Sequence, residues 1–155
     1  NAPALLEDVE LSDADMLQDA SILLAEDNDF NAEIAIELLQ SRGASVERAT
    51  NGKEALALFE RSRAGQYGCI LMDIMMPEMN GLEATTAIRS LARPDAKTIP
   101  ILAMTANAFQ EDKHSALAAG MTGFIPKPID VDLLFQELHQ ALYLNNSQEN
   151  ERSAN

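Results

Sequence analysis

The sequence predicts an α/β domain in which a five-stranded parallel sheet is covered by helices on both faces. Short apolar segments alternate five times with segments of helical periodicity, as is typical of parallel sheets. In residues 70–77 (ILMDIMMP), seven of the eight residues are apolar and the other is the carboxylate Asp73. Such a run fits a strand buried on both faces, and Pro77 argues against a helix. The chain has 155 residues, 46% of them apolar, which suits one domain with a substantial core.

The first two strand–helix units cover residues 21–61. The run SILLA ends in the acidic turn 26–29, and helical spacing of apolar residues follows. Gly43 fits the position just past the end of a helix. The predicted elements are a strand at 21–25, a helix at 31–39, a strand at 44–49, a turn and cap at 50–52, and a helix at 53–61.

The remaining three units cover residues 67–144. Pro77 and Gly81 mark a loop after the third strand, Pro94 breaks the helix that follows, and Gly120 closes the next one. The predicted elements are a strand at 67–73, a helix at 82–91, a strand at 99–104, a helix at 110–119, a strand at 123–126, and a helix from its cap at Asp130 to about residue 144.

Composition and charge along the chain indicate the bounds of the domain and argue against some classes of function. Residues 1–20 carry six acids and no Lys or Arg, which indicates an acidic linker, with or without a short amphipathic helix that docks on the domain, before a domain at 21–144. The polar tail at 145–155 is expected to be disordered. The net charge of −14 argues against direct nucleic-acid binding, and no apolar run is long enough for a membrane span. Cys69, the one cysteine, indicates a reduced core residue of a cytoplasmic protein.

Polar side chains follow four of the predicted strands. Glu26 and Asp27 come after the first strand, Asp73 ends the third, Thr105 ends the fourth and Lys127 follows the fifth. Ligands of such sheets bind beyond the carboxyl ends of the strands, so we expect these side chains to converge.

The chemistry of this rim favours a metal ion and a phosphoryl group. Three neighbouring carboxylates repel one another, and a divalent cation would relieve the repulsion. Oxygen-only ligands favour Mg²⁺, Mn²⁺ or Ca²⁺ over zinc. Lys127 could pair with Asp73 or with a phosphate, and a carboxylate in such surroundings can accept a phosphoryl group.

Four stretches resemble the response-regulator receiver domain family: residues 23–28 (LLAEDN), 71–81 (LMDIMMPEMNG), 104–108 (MTANA) and 124–129 (FIPKPI). The resemblance covers about residues 20–144. It implies a flavodoxin-like fold with strand order 2-1-3-4-5. It also implies transfer of a phosphoryl group to an aspartate with Mg²⁺, or with Mn²⁺ in its place. The donor would be the phosphohistidine domain of a histidine kinase or a histidine phosphotransfer protein.

The same resemblance implies a role for each residue at the rim. Asp73 would be the phosphoacceptor. Asp27 and Asp73 would bind the metal ion directly, together with the backbone carbonyl of Met75, and Glu26 would bind it mainly through water. Thr105 and Lys127 would hold the phosphoryl group. Phe124 would be a switch aromatic whose rotation follows the movement of Thr105. Members of the family often have Tyr at the position of Phe124, and they often have a cis bond at the position of Lys127–Pro128.

The sequences of residues 105–109, 119–121 and 127–130 resemble those of receivers that are fused to hybrid sensor histidine kinases. The parent protein would then be a kinase, with or without a membrane anchor, while this domain would catalyse only its own phosphorylation and dephosphorylation. The alternative is the receiver of a stand-alone or DNA-binding response regulator. Whether the domain forms a homodimer stays open. Two other functions are less well supported by the sequence. An aspartate-nucleophile phosphatase usually has a second Asp two residues after the nucleophile, where this chain has Met75. In a flavin-binding module of the same fold, the acidic turn at 26–29 would repel the flavin phosphate. His114 and His139 are predicted to lie on the surface.

Overall fold

Five parallel strands and the helices between them make up the structure, a computed structural model that describes residues 17–106 and 110–144. The elements are β1 (Ser21–Ala25), α1 (Asp29–Ser41), β2 (Ser45–Ala49), α2 (Gly52–Arg61), β3 (Cys69–Asp73), α3 (Gly81–Arg89), α4 (Pro94–Thr98), β4 (Ile101–Thr105), α5 (Gln110–Ala119), β5 (Gly123–Pro126), α6 (Val131–His139) and a π-helical turn (Gln140–Leu144). The strand order is β2-β1-β3-β4-β5, which confirms the predicted fold class and topology.

Each face of the sheet has its own apolar core. Ile70 and Met72 of β3 pack with α2, α3, α4 and α5, whereas Cys69 and Leu71 pack with α1 and α6. Every residue of β3 and β4 is buried, as expected of central strands covered on both sides. Cys69 is a buried free thiol, as predicted.

Side-chain caps fix the starts of four helices. Asn28, Asn51, Asn80 and Asp130 each accept a hydrogen bond from the backbone N–H three residues later. Such caps satisfy a backbone donor that has no partner inside the helix. Three of these helices therefore begin one or two residues before their predicted starts, at Asp29, Gly52 and Gly81.

The region after α3 differs from the prediction. It was expected to be a simple break, but Pro94–Thr98 forms the short helix α4, so the described residues contain six α-helices rather than five. Pro at the first helical position suits a helix start because it has no N–H to satisfy. Arg93 supports this start through two hydrogen bonds to Asp95 (2.7 and 2.8 Å) and one to the Phe59 carbonyl (2.9 Å).

The end of the predicted acidic linker is part of the packed structure. The Leu17 side chain is fully buried with α1 and α6, and its backbone N–H donates to the Arg42 carbonyl at 2.9 Å. The rest of the linker, residues 1–16, and the tail at 145–155 lie outside the described residues. Among the described residues, no helix combines the length and the apolar character that crossing a membrane requires.

Replacing Leu17 by Ala should lower the free energy of unfolding by about 2–4 kcal/mol, because it leaves a cavity in the core between α1 and α6. Denaturant titration followed by far-UV circular dichroism measures the change. Leu117→Ala is the matched control, since Leu117 is 57% exposed. Equal effects of the two substitutions would mean that Leu17 does not contribute to the core.

Candidate functional site

The sheet register places the predicted site residues at one edge. Asp73 pairs with Met104, so Thr105 lies one residue further along β4. Thr105 in turn pairs with Pro126, and Lys127 follows directly. On the other side of β3, Ala25 pairs with Met72, so the acidic turn at 26–29 leaves the sheet beside Asp73.

Lys127 joins two of the carboxylates. Its Nζ lies 2.8 Å from Asp73 Oδ2 and 2.7 Å from Glu26 Oε1. The pairing with Asp73 was predicted, whereas the pairing with Glu26 was not. Both carboxylates are nearly inaccessible to solvent, so the ammonium offsets charges that water does not reach.

Burial and charge shift the protonation of both partners. Burial raises the pKa of Asp73 to about 6, and the charge of Glu26 adds to this effect while Lys127 opposes it. Burial lowers the pKa of Lys127, but the hydrogen bonds and charges of Asp73 and Glu26 outweigh it and raise the pKa above its ordinary value. Lys127 therefore stays charged, whereas ionisation of the Asp73 carboxyl is less favourable in the folded protein than in water.

The carboxylates of Glu26, Asp27 and Asp73 could hold a metal ion. One oxygen from each lies within 4.8 Å of the others. One ammonium against three carboxylates leaves two negative charges in excess, which a divalent cation would neutralise. The donors are all oxygens, which favours Mg²⁺ over zinc. The donor set thus fits the ion that the sequence predicts.

The loop after β3 approaches Asp73 closely. The Met75 N–H donates to Asp73 Oδ1 at 3.2 Å, and the Met75 side chain is 76% exposed. The role of the Met75 carbonyl as a metal ligand stays a prediction. A Cβ at Gly81 would lie 2.3 Å from the Asp73 carbonyl oxygen, so only glycine allows the loop to close here.

Thr105 and Phe124 lie on the sheet face that packs with α2–α5. Ala103, two residues before Thr105, faces that core and pairs with Phe124. Thr105 is buried, and its carbonyl accepts a hydrogen bond from the Lys127 N–H at 2.8 Å. Phe124 is half-buried, and Lys113 Nζ lies 5.7 Å from the centre of its ring. Their roles in binding and switching stay predictions.

The structure also reveals a residue that sequence reasoning missed. Arg48 of β2 donates to the Glu26 carbonyl from Nε (3.1 Å) and Nη2 (2.8 Å), and its Nη1 lies 2.8 Å from Asp29 Oδ1. Nothing in its sequence context pointed to the site, because β2 ends at Ala49 and the next residue, Thr50, was not a candidate group. The Lys127–Pro128 bond is cis, as expected, and His114 and His139 are exposed, as predicted.

Comparison with known proteins agrees with this fold. Residues 22–139 match the response regulator receiver domain family, and the chain belongs to that family. A curated relative, hybrid signal transduction histidine kinase I of Dictyostelium discoideum, is 39% identical over an alignment of 133 residues that covers 84% of this chain. The match spans only 8% of that relative's length.

Two solved structures are informative neighbours. The receiver domain of a sensor histidine kinase from Pseudomonas aeruginosa, with a magnesium ion coordinated in its active-site cleft, is 37% identical with a TM-score of 0.70. That comparison covers 80% of this chain and 97% of the other. The receiver domain of Ssk1 from Saccharomyces cerevisiae, in complex with the histidine phosphotransfer protein Ypd1, is 26% identical with a TM-score of 0.71 and covers 81% and 90%.

The raised pKa of Asp73 predicts a pH dependence of stability in the metal-free protein. The native state holds this proton more tightly than the unfolded state, so its contribution to stability is lost as pH rises from about 4 to about 6. In EDTA, the free energy of unfolding of the wild type, relative to that of Asp73→Asn, should fall by about 2 kcal/mol between pH 4.5 and pH 7.5.

Denaturant titrations of both proteins at the two pH values test this. Asp19→Asn, which changes an exposed carboxylate, should retain the pH dependence of the wild type. A constant difference between the wild type and Asp73→Asn would contradict the prediction.

Proposed function

We propose that this domain accepts a phosphoryl group from a phosphohistidine onto Asp73, with Mg²⁺ bound beside it. The observation that carries the proposal is the position of Lys127 Nζ, in contact with both Asp73 and Glu26 where three carboxylates converge. A purely structural ion pair would need one carboxylate, and two excess negative charges would weaken it. A site that takes up a cation and then a phosphate explains the arrangement.

The transfer needs little covalent chemistry from the protein. A carboxylate oxygen of Asp73 attacks the phosphorus, and the P–N bond of the donor's phosphohistidine breaks. The imidazole nitrogen keeps the electron pair of that bond. Lys127 can pair with the incoming phosphoryl oxygens, and the Met75 N–H holds the carboxylate in place from the other side.

Mg²⁺ would be held by Asp27 and Asp73, with the Met75 carbonyl as a third protein ligand and Glu26 acting through water. When bound, it neutralises phosphoryl oxygens as negative charge accumulates at the site. Asp27 is the exposed member of the cluster and leaves an approach from solvent. Mn²⁺ prefers similar oxygen ligands and could substitute.

The phosphorylated state would be read through Thr105 and Phe124. A phosphoryl group on Asp73 adds roughly one to two negative charges and new acceptor oxygens next to Thr105. Movement of Thr105 toward them would free space on the sheet face that it shares with Phe124. Rotation of the half-buried Phe124 into that space would change the surface near α5.

We further propose that the parent protein is a hybrid histidine kinase. The support is that a curated hybrid histidine kinase matches most of this chain, whereas this chain corresponds to only a small part of that kinase. The donor would then be a phosphohistidine in the kinase or in a histidine phosphotransfer protein. The structure of such a phosphotransfer protein with a receiver of the same fold supports the second route.

A groove beside Lys127 suits such a partner. Its volume is about 440 Å³, and it is lined by Asn31, Ile34, Ala106, Lys127, Pro128 and Ile129. Phe30, one turn before Ile34 on α1, is 70% exposed. This mostly apolar groove, with Lys127 at its side, could bind a helix of the phosphotransfer protein. The phosphohistidine of that protein would then lie near Asp73.

Asp73→Asn should abolish labelling by acetyl phosphate and by a phosphohistidine donor, because an amide oxygen is a much poorer nucleophile than a carboxylate. Incorporation of ³²P in the presence of Mg²⁺ measures the effect. Asp19→Asn, at the opposite end of β1, is the control and should be labelled like the wild type. Undiminished, hydroxylamine-sensitive labelling of Asp73→Asn would refute the acceptor assignment.

Ile34→Asp should slow labelling by a phosphotransfer protein at least tenfold relative to labelling by acetyl phosphate, since a charge in the groove opposes docking but not the entry of a small donor. The ratio of the two initial rates is the measurement. Leu117→Asp is the matched control, on α5 at the other face of the sheet. An equal ratio in both variants would exclude the groove as the docking site.

A further inference from the structure

Arg48 holds the acidic turn from the neighbouring strand β2. Two of its nitrogens donate to the Glu26 carbonyl, and the third pairs with Asp29 on the far side of Asp27. Ala49, the next residue of β2, accepts a hydrogen bond from the Glu26 N–H at 3.0 Å. The peptide groups on both sides of Glu26 are therefore fixed by β2.

The two acids of the turn differ in what orients their side chains. The Glu26 carboxylate pairs with Lys127 and accepts a hydrogen bond from the Asn28 N–H at 3.1 Å. Within residues 17–106 and 110–144, no hydrogen bond or ion pair holds the Asp27 carboxylate. The position of Asp27 therefore depends on its backbone, and the peptide group before it is the one that Arg48 holds.

We propose that Arg48 is a positioning residue for Asp27 and that it sets the affinity of the site for a divalent cation. The inference rests on the proposed metal-dependent function. The planar guanidinium is suited to this task because it can donate twice to one carbonyl and still reach a carboxylate, which an ammonium cannot do at once. Without it, cation binding would have to order the turn as well as neutralise it.

A positive charge near the site has the opposite effect, since it repels a cation. In Arg48 this charge is paired with Asp29, so we expect positioning to outweigh repulsion. The two effects predict different results for two variants. If charge dominated, Arg48→Gln would bind Mg²⁺ more tightly and Arg48→Lys would resemble the wild type, whereas loss of positioning weakens binding in both.

Isothermal titration with Mg²⁺ distinguishes these outcomes. We expect the dissociation constant to rise about tenfold in Arg48→Gln and severalfold in Arg48→Lys, from the cost of ordering about one residue. Arg63→Gln removes an exposed charge from the loop before β3, at the other end of the sheet, and should bind like the wild type. In EDTA, ¹⁵N relaxation should show greater mobility of the Asp27 and Asn28 amides in both Arg48 variants only.

Wild-type affinity in Arg48→Gln, tighter binding by it, or full rescue by Arg48→Lys would each overturn the inference. If the wild type binds Mg²⁺ and is labelled at Asp73 while the Arg48 variants equal it, only the role of Arg48 fails. If the wild type itself neither binds Mg²⁺ nor is labelled, the proposed function fails instead.

Discussion

The contact on which the site depends is the one that Lys127 makes with Asp73 and Glu26. The two carboxylates sit at the ends of neighbouring strands, where burial makes their charges costly. Lys127 offsets part of this cost, and its backbone N–H is tied to Thr105 on β4. These contacts link Asp73 of β3 to the ends of β1, β4 and β5, so a change of charge at Asp73 would act on all of them.

The sheet does the positioning, and the loops add what the strands lack. Parallel pairing brings the carboxyl ends of β1, β3, β4 and β5 to one edge, so residues far apart in sequence become neighbours. The loop after β3 is drawn in at Gly81 and presents the Met75 N–H to Asp73. In the loop after β1, the Asn28 N–H donates to the Glu26 carboxylate, and Arg48 of β2 adds two hydrogen bonds to the Glu26 carbonyl.

Much of this could be predicted from the sequence, because strand ends and helix periods are local signals. The five strands, their order and the residues at the rim follow from apolar runs and from the receiver motifs. The contacts that could not be predicted are made by long side chains across the sheet: Lys127 with Glu26, and Arg48 with the acidic turn. Leu17 lies in a leader whose apolar residues follow no regular period, and α4 had no local pattern that marked it; the packing of both depends on surfaces formed by distant segments.

In the proposed function, Asp73 is the one group that carries the phosphoryl group, and it does so only when a divalent cation is present. Borohydride reduction converts an aspartyl phosphate to homoserine, which mass spectrometry of peptides locates. After exposure to a phosphohistidine donor with Mg²⁺, we expect homoserine at position 73 alone and none in EDTA. Reduction products at Glu26 or Asp27, phosphate on His114 or His139, or equal modification in EDTA would contradict the assignment of Asp73 as the metal-dependent acceptor.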